Sequence, residues 1–356
     1  MCIHDAERRP IFCVVPPHML DEIARNGTQR QREAALRTTS EDTTYRTLRG
    51  IRLAAPVAEA SQATAVVVGG KQRTISETHN TEDLPGDVAR AEGQPATGDP
   101  AVDEAYDGLG ETYDFYRGIL GRNSLDGNGG PLNATVHYGQ DYDNAFWDGQ
   151  RMVFGDGSGE IFNRMTIDLA VIGHELTHGV TEVEAQLIYF RQSGALNESM
   201  SDVFGSLCKQ YRLGRQAAAD ADWLIGEGLL AEGVQGQALR SMANPGTAYD
   251  DDVLGKDPQP GHMDDYDHTP RDNGGVHINS GIPNKAFHLV ATGIGGYAGE
   301  RAGPIWYATL RDSRLRADAT FVDFAQLTFV NAWNLFPQGQ EPEIVKDAWH
   351  QVGIDI

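Results

Sequence analysis

Residues 174–178 read HELTH, and Ile172, Leu176, Val180 and Val183 around them recur at i, i+4, i+8 and i+11. That spacing is helical. Side chains four apart share a helix face, so His174 and His178 can both aim a ring nitrogen at one metal ion. Glu175 is turned about 100° from His174 and can reach a water held by the metal rather than the metal itself. HExxH also arises by chance, so the neighbouring sequence has to decide.

A second helix is marked by Leu196, Met200, Val203, Phe204 and Leu207, and its first turns read GALNESMSD. Glu198 stands twenty residues after His178, with Asp202 one turn further on the same face. A catalytic zinc takes three protein ligands and keeps one position open, and His174, His178 and Glu198 supply that number. Asp202 can accept a hydrogen bond from the outer nitrogen of one ligating histidine, and Asn197 can serve the other. Far downstream, RDNGGVHINSG (271–281) offers a Gly274–Gly275 turn with His277 in a short β-type segment. A histidine aimed at the site can donate to an oxyanion, and Asp272 can keep its imidazole protonated.

The chain has 356 residues with a net charge of −22, which argues against nucleic acid or anionic lipid as a partner. No stretch of about 18 apolar residues exists to span a membrane. Residues 1–50 carry eight Arg against seven Asp and Glu, so a near-neutral head precedes an acidic body. Two of the three cysteines, Cys2 and Cys13, lie in that head and Cys208 in the body, too few for a disulfide framework. The head opens with IFCVVPPHMLDEIA, whose apolar run is too short for a secretory signal. Residues 24–50 read as an Arg-rich connector with a helix-compatible patch at TQRQREAALRT, and 54–65 as an exposed linker. ATAVVVGGKQRTIS reads as a strand pair with a Gly-Gly turn, NATVHYGQ and QRMVFGDG as strands, and DPAVDEAYDGLGETYDFYRGIL as an amphipathic helix. Stretches near 284–293, 302–311, 321–335 and 342–350 read as helices. The fold class is α+β, strand-rich first and helical second.

HELTH, the Glu of GALNES, AFW and GGVHINSGIPNKA, in this order from residue 136 to the C-terminus, resemble the thermolysin family of zinc metalloendopeptidases. PPHML in the head resembles the short prosegment of its protealysin-like branch. The resemblance implies a propeptide at 1–50, with its boundary anywhere in 47–66 and Gly50–Ile51 fitting a self-cleavage. It implies a catalytic lobe at 51–183 ending in the HELTH helix, and a helical lobe at 184–356, with the active-site cleft between them. It makes the protein a zymogen whose own propeptide is an intramolecular inhibitor, acting on protein and peptide substrates.

By the same resemblance, His174, His178 and Glu198 bind one zinc and Glu175 is the general base. Tyr189, in LIYF, and His277 stabilise the tetrahedral intermediate, with Asp272 orienting His277. Asn144 and Ala145, in DNAFW, grip the substrate as an added strand. Arg240 binds a substrate carbonyl, and Phe162, Met165, Val171, Ile225 and Leu239 line a pocket preferring Leu, Ile, Val or Phe after the scissile bond. A paired calcium site known in the family is lost here, because Ala170, Lys209 and Leu224 replace acidic residues and only Asp222 and Glu227 remain. LDGNGG and YDDDV are weaker calcium-loop candidates. A zinc-capping thiolate from Cys2 or Cys13 stands against the reading of both as buried small hydrophobes. The alternatives are an inactive peptide-binding protein on this scaffold and a zinc aminopeptidase. The family works mostly outside the cell, although no classical export signal is visible.

Overall fold

The computed structural model describes residues 12–54 and 70–356, with side chains for 12–45 and 70–356. Cys2, the strand expected before Gly69 and most of the expected linker and cleavage window lie outside them. The chain forms two compact units, Met1–Ile167 and Asp168–Ile356.

The first unit begins with a short strand, β1 (Phe12–Cys13), and a helix, α1 (Pro17–Asn26). Pro17 sits at the first helical position, where a missing N–H costs nothing, and Met19, Leu20 and Ile23 are buried. The connector expected at 24–50 is instead one long helix, α2 (Gln29–Ala54). Thr28 starts it, accepting from Gln31 N, and residues 29–49 contain neither Gly nor Pro to stop it. Its Arg and Glu residues, read as connector polarity, are good helix formers.

Strands β2 (Arg73–Glu77) and β3 (Asp87–Ala91) follow, then α3 (Pro100–Leu120), β4 (Leu132–Val136), β5 (Ala145–Trp147) and β6 (Met152–Phe154). Asp99 caps α3, accepting from Ala101 N and Val102 N, and Gly121 closes it at a left-handed φ of 69°. Among the described residues, six strands form one sheet in the order β1-β5-β6-β4-β2-β3. The β2–β4 and β4–β6 pairs are parallel, and β1 runs antiparallel to β5 with Phe12 opposite Trp147 and Cys13 opposite Phe146. The head therefore supplies one edge strand of the sheet, next to β5.

The second unit opens with α4 (Leu169–Glu184) and α5 (Arg191–Arg212), followed by two small ribbons, β7–β8 (Leu224–Ile225, Arg240–Ser241) and β9–β10 (Asp250–Asp251, Gly255–Lys256). Helices α6 (Asp272–Asn279), α7 (Gly281–Ile294), α8 (Ala302–Leu310), α9 (Phe321–Leu335) and α10 (Glu341–Gln351) complete it. Trp306 and Trp349 stack in its core, with Phe287 and Phe324 edge-on to Trp306. Ile172, Leu176 and Val180 are buried on α4, but Val183 is 49% exposed, because the helix ends at Glu184 beyond its packed turns.

Candidate metal and peptide-binding sites

Helix α4 is started by Asp168, whose Oδ1 accepts from Ala170 N while Oδ2 accepts from Gly226 N and Glu227 N. Helix α5 crosses it closely: a Cβ on Gly205 would collide with the Ala170 carbonyl, so glycine is needed at the crossing. That approach brings His174 and His178 of α4 against Glu198 of α5, all three buried, with ligand atoms within 4.8 Å of one another.

Hydrogen bonds fix the orientation of both rings. His174 Nδ1 lies 2.8 Å from Asp202 Oδ1, and His178 Nδ1 lies 2.8 Å from Asn197 Oδ1. An acceptor at each Nδ1 puts the proton there and leaves Nε2 with a lone pair. The two Nε2 atoms nevertheless face each other at 3.0 Å, with Glu198 oxygens 3.4 and 3.6 Å from them. Among the described residues no donor reaches Glu198 Oε2. Lone pairs and a carboxylate turned on one another in a dry interior repel, and a cation resolves this. Burial and the neighbouring His174 push His178 well below the usual range, which keeps it a neutral ligand. The donor set therefore fits a zinc-type ion.

Around this core the second unit builds a connected polar shell. Glu175 is fully buried one residue along α4 from His174. Burial alone raises the Asp202 carboxyl, but Arg240 and His174 outweigh it and hold it ionised. Arg240, buried on β8, donates through Nε to Asp202 Oδ2 at 2.9 Å and through Nη2 to Oδ1 at 2.8 Å. Asn284 of α7 donates to Asp202 Oδ2 at 2.8 Å, a partner that sequence reasoning missed. Its signal was present, since a polar residue sits within the apolar run GIPNKAF. Tyr189 donates its hydroxyl to Glu198 Oε1 and lies 3.2 Å from His277 Nε2.

His277 is not in the β-type segment expected for it but in α6. Asp272, Asn273, Gly274 and Gly275 all take left-handed φ values between 50° and 83°, winding the chain into a turn that runs on into the helix. The two glycines were read as a tight turn, while the helical turn after them gave only four residues of pattern. Asp272 accepts from His277 N at 2.9 Å and lies 2.7 Å from its Nδ1. Burial lowers the His277 pKa, but Asp272 and Glu198 outweigh it and bring it to about 9.

Lys209 of α5 reaches Asp222 at 2.8 Å and Glu227 at 2.7 Å. Burial weakens its charge, yet Asp168 and these two carboxylates raise its pKa overall. Val171, Ile225 and Leu239 are buried in this unit, and Leu239 N donates to Ile225 O.

In the first unit, Phe162 and Met165 are fully buried, as are Asn144 and Ala145 at the start of β5. The N-terminal segment lies on these last two. Val14 N donates to Ala145 O at 3.2 Å and Val15 N to Asn144 Oδ1 at 2.9 Å. Asn144 Nδ2 donates to Asp42 Oδ2 at 3.1 Å and reaches Val15 O at 3.4 Å. Helix α2 holds the preceding loop as well: Tyr142 donates to Asp42 Oδ1 at 2.5 Å, Asp143 N to Thr38 Oγ1 at 3.0 Å, and Arg37 pairs with Asp141 at 3.0 Å. Thr38 and Asp42 were not singled out, because nothing in a mostly polar helix marks which face docks. Cys13 is packed with Tyr138, Tyr142, Phe146 and Val153, as a buried small hydrophobe would be.

Two histidines one helical turn apart, a carboxylate orienting one and an amide the other, and a glutamate from the next helix are the ligand set of a metallopeptidase. It belongs to the thermolysin metallopeptidase family: the catalytic-domain model matches residues 25–182 and the alpha-helical-domain model residues 185–354. It is 54% identical over 348 residues to an extracellular metalloprotease of Pectobacterium carotovorum subsp. carotovorum, covering 98% of each chain. It is 49% identical over 345 residues to Protease PrtS of Photorhabdus sp. (strain Az29), covering 96% of this chain and 92% of that one. The solved precursor of protealysin, a metalloproteinase from Serratia proteamaculans, matches with a TM-score of 0.86 and 54% identity over 96% of this chain and 99% of that one.

Proposed function

We propose that the protein is a zinc endopeptidase made as a zymogen, cutting on the amino side of bulky apolar residues. The observation carrying this reading is the facing pair of His174 and His178 Nε2 atoms, 3.0 Å apart beside Glu198. The three side chains would hold the zinc, which when bound polarises a carbonyl and lowers the pKa of a water to about 7. Glu175 takes the proton from the attacking water and passes it to the leaving amine. Tyr189 and a protonated His277 donate to the carbonyl oxygen as it gains charge, with Asp272 orienting His277. Asp202 and Asn197 hold the ligand rings, and Arg240, anchored on Asp202, would bind a substrate carbonyl. Val171, Ile225 and Leu239, buried in the second unit, would supply apolar lining for the residue after the scissile bond, and Phe162 and Met165 of the first unit keep the role the resemblance implies.

Asn144 and the Ala145 backbone would take a substrate as an added strand, and β1 of the head holds both in the precursor. A strand already in that edge excludes another, so residues 1–50 act as a prosegment by occupying substrate hydrogen-bond partners. The packing of Cys13 favours a buried small hydrophobe over a zinc-capping thiolate for that residue, and Cys2 lies outside the described residues. Lys209 supplies a positive charge between Asp222 and Glu227, which argues that the paired calcium site is replaced by an ammonium. Asp126 and Asp251 accept from backbone N–H groups of their own loops, which supports polar turns rather than calcium loops there. The likeness to an extracellular metalloprotease favours action outside the cell.

The test compares zinc content, casein hydrolysis and N-terminal sequence in the wild type and Glu175→Gln. One zinc in both, with hydrolysis and loss of roughly the first 50 residues only in the wild type, is expected. Zinc without hydrolysis after the head is removed would overturn the reading.

A further inference from the structure

The prosegment's grip on the substrate edge runs through a pair of adjacent carboxylates on α2. Asp42 is 4% exposed and accepts from both Tyr142 and Asn144, so the hydroxyl and amide beside the edge strand are tied to one prosegment residue. Glu41, its neighbour, is wedged differently. Its Oε2 is buried with no hydrogen-bond donor among the described residues, and lies 3.0 Å from where a Cβ on Gly139 would stand. Gly139 N is bonded to Thr81 O, so the Glu41 carboxyl faces the loop that carries Glu82. The charges acting on Glu41 are Glu82 and Asp42, both repulsive, and Arg37, which is attractive but already paired with Asp141. Two tyrosines complete the surroundings: Tyr45 reaches Glu82 O and packs edge-on to Tyr138.

We propose that α2 is a pH-graded latch: Asp42 locks Tyr142 and Asn144 to the prosegment, and Glu41 loosens the lock as it ionises against Asp42 and Glu82. This rests on the zymogen reading above and adds how its inhibition is set. Burial, then Glu82 and Asp42, raise Glu41 to about 8 in the docked state, against an ordinary 4.5. A carboxyl with a raised pKa favours the state that keeps it protonated. Docking is therefore tightest below about pH 4.5 and is lost progressively as pH rises through about 8. A released prosegment returns Glu41 to water and gives Asn144 back its donor and acceptor for substrate.

The test is hydrogen exchange on the full-length Glu175→Gln chain, corrected for intrinsic rates, reading the Val14 and Val15 amides at pH 6 and pH 9. Their protection should fall about tenfold or more across that range. Amides of β2 and β4 should hold steady and so report against general unfolding. Adding Glu41→Gln should flatten the pH response, and adding Asp42→Asn should lower protection at both pH values. Protection that is high and equal at both pH values, or that falls equally with Glu41→Gln, overturns the latch while leaving the zymogen intact. Val14 and Val15 amides exchanging freely at every pH would instead overturn the prosegment docking itself.

Discussion

Replacing Lys209 with Met, in a chain also carrying Glu175→Gln to prevent self-digestion, should destabilise it by about 2 kcal/mol. The figure is built from three carboxylates. Asp222 and Glu227 are 36% and 53% exposed, so each pair with Lys209 contributes only about 0.2–1 kcal/mol. Asp168 is different, being 5% exposed and the group that caps α4 and ties Gly226 and Glu227 to it. Burial raises its carboxyl, and Lys209 is the largest opposing influence. Without the ammonium, Asp168 is a buried charge facing two others, which costs about 1 kcal/mol more at neutral pH. The loss should shrink as pH falls and the carboxylates protonate. For a unit of this size about 2 kcal/mol is on the order of 5 °C in Tm. Thermal unfolding with zinc held constant, with and without millimolar calcium, reads both parts of the argument. The Lys209 chain should be indifferent to calcium, whereas Lys209→Glu, offering three carboxylates and no ammonium, should gain Tm with calcium. A calcium-dependent Tm in the Lys209 chain, or an unchanged Tm in Lys209→Met, would refute the reasoning.

Val14→Pro removes the N–H that donates to Ala145 O, and should raise the precursor's hydrolysis of a small fluorogenic peptide about five- to tenfold, measured before processing begins. Asp202→Asn leaves His174 an amide in place of a carboxylate and breaks the Arg240 pair, so zinc affinity should drop about ten- to a hundredfold in a chelator competition. His137 lies between Asp156 and Asp99, at 2.9 and 3.0 Å, and its pKa is raised to about 9, chiefly by the Asp156 hydrogen bond. Because the folded value is raised, its stabilisation is complete below about pH 6.5 and is lost as pH rises through 9. His137→Gln should remove on the order of 1 kcal/mol at pH 6 and much less at pH 10, read by urea unfolding.

The metal-site residues were legible because their pattern is local. A pair of histidines at i and i+4 needs only helical geometry to converge, and Glu198 is brought to them by the close crossing of the very next helix at Gly205. The parts that stayed illegible depend on distant partners. Asn284 and Arg240 meet Asp202 across separations of 82 and 38 residues, and no periodicity encodes that. The left-handed run from Asp272 to Gly275 hid the short helix of His277, because glycine signals a turn without specifying the next element. The head shows the same limit more sharply. Its apolar run reads only as too short for a secretory signal, and its pairing with the AFW strand is a fact of register between segments more than a hundred residues apart, Cys13 lying opposite Phe146. The Arg-rich stretch of α2 reads as a connector because its buried face carries, among the described side chains, only Ala34 and Ala35 as apolar residues beside Thr38 and Asp42, too little contrast with the solvent face to mark it.

The modest strength of these docking contacts is itself suited to a precursor. Val14, Val15, Thr38 and Asp42 contribute individual hydrogen bonds, each on the order of 1 kcal/mol net, with somewhat more for the carboxylate. On the zymogen reading proposed above, while the head is covalently joined to the sheet these bonds would compete with substrate at an effective concentration in the millimolar range. Once the linker is cut, the same bonds must hold a free fragment at its bulk concentration. Dilution from millimolar to nanomolar weakens occupancy about a millionfold, or about 8 kcal/mol. A head bound tightly enough to survive that step would inhibit the mature enzyme indefinitely. A head bound only tightly enough to block substrate while tethered leaves on cleavage, and a tenfold change from one carboxylate is enough to decide how often it opens before then.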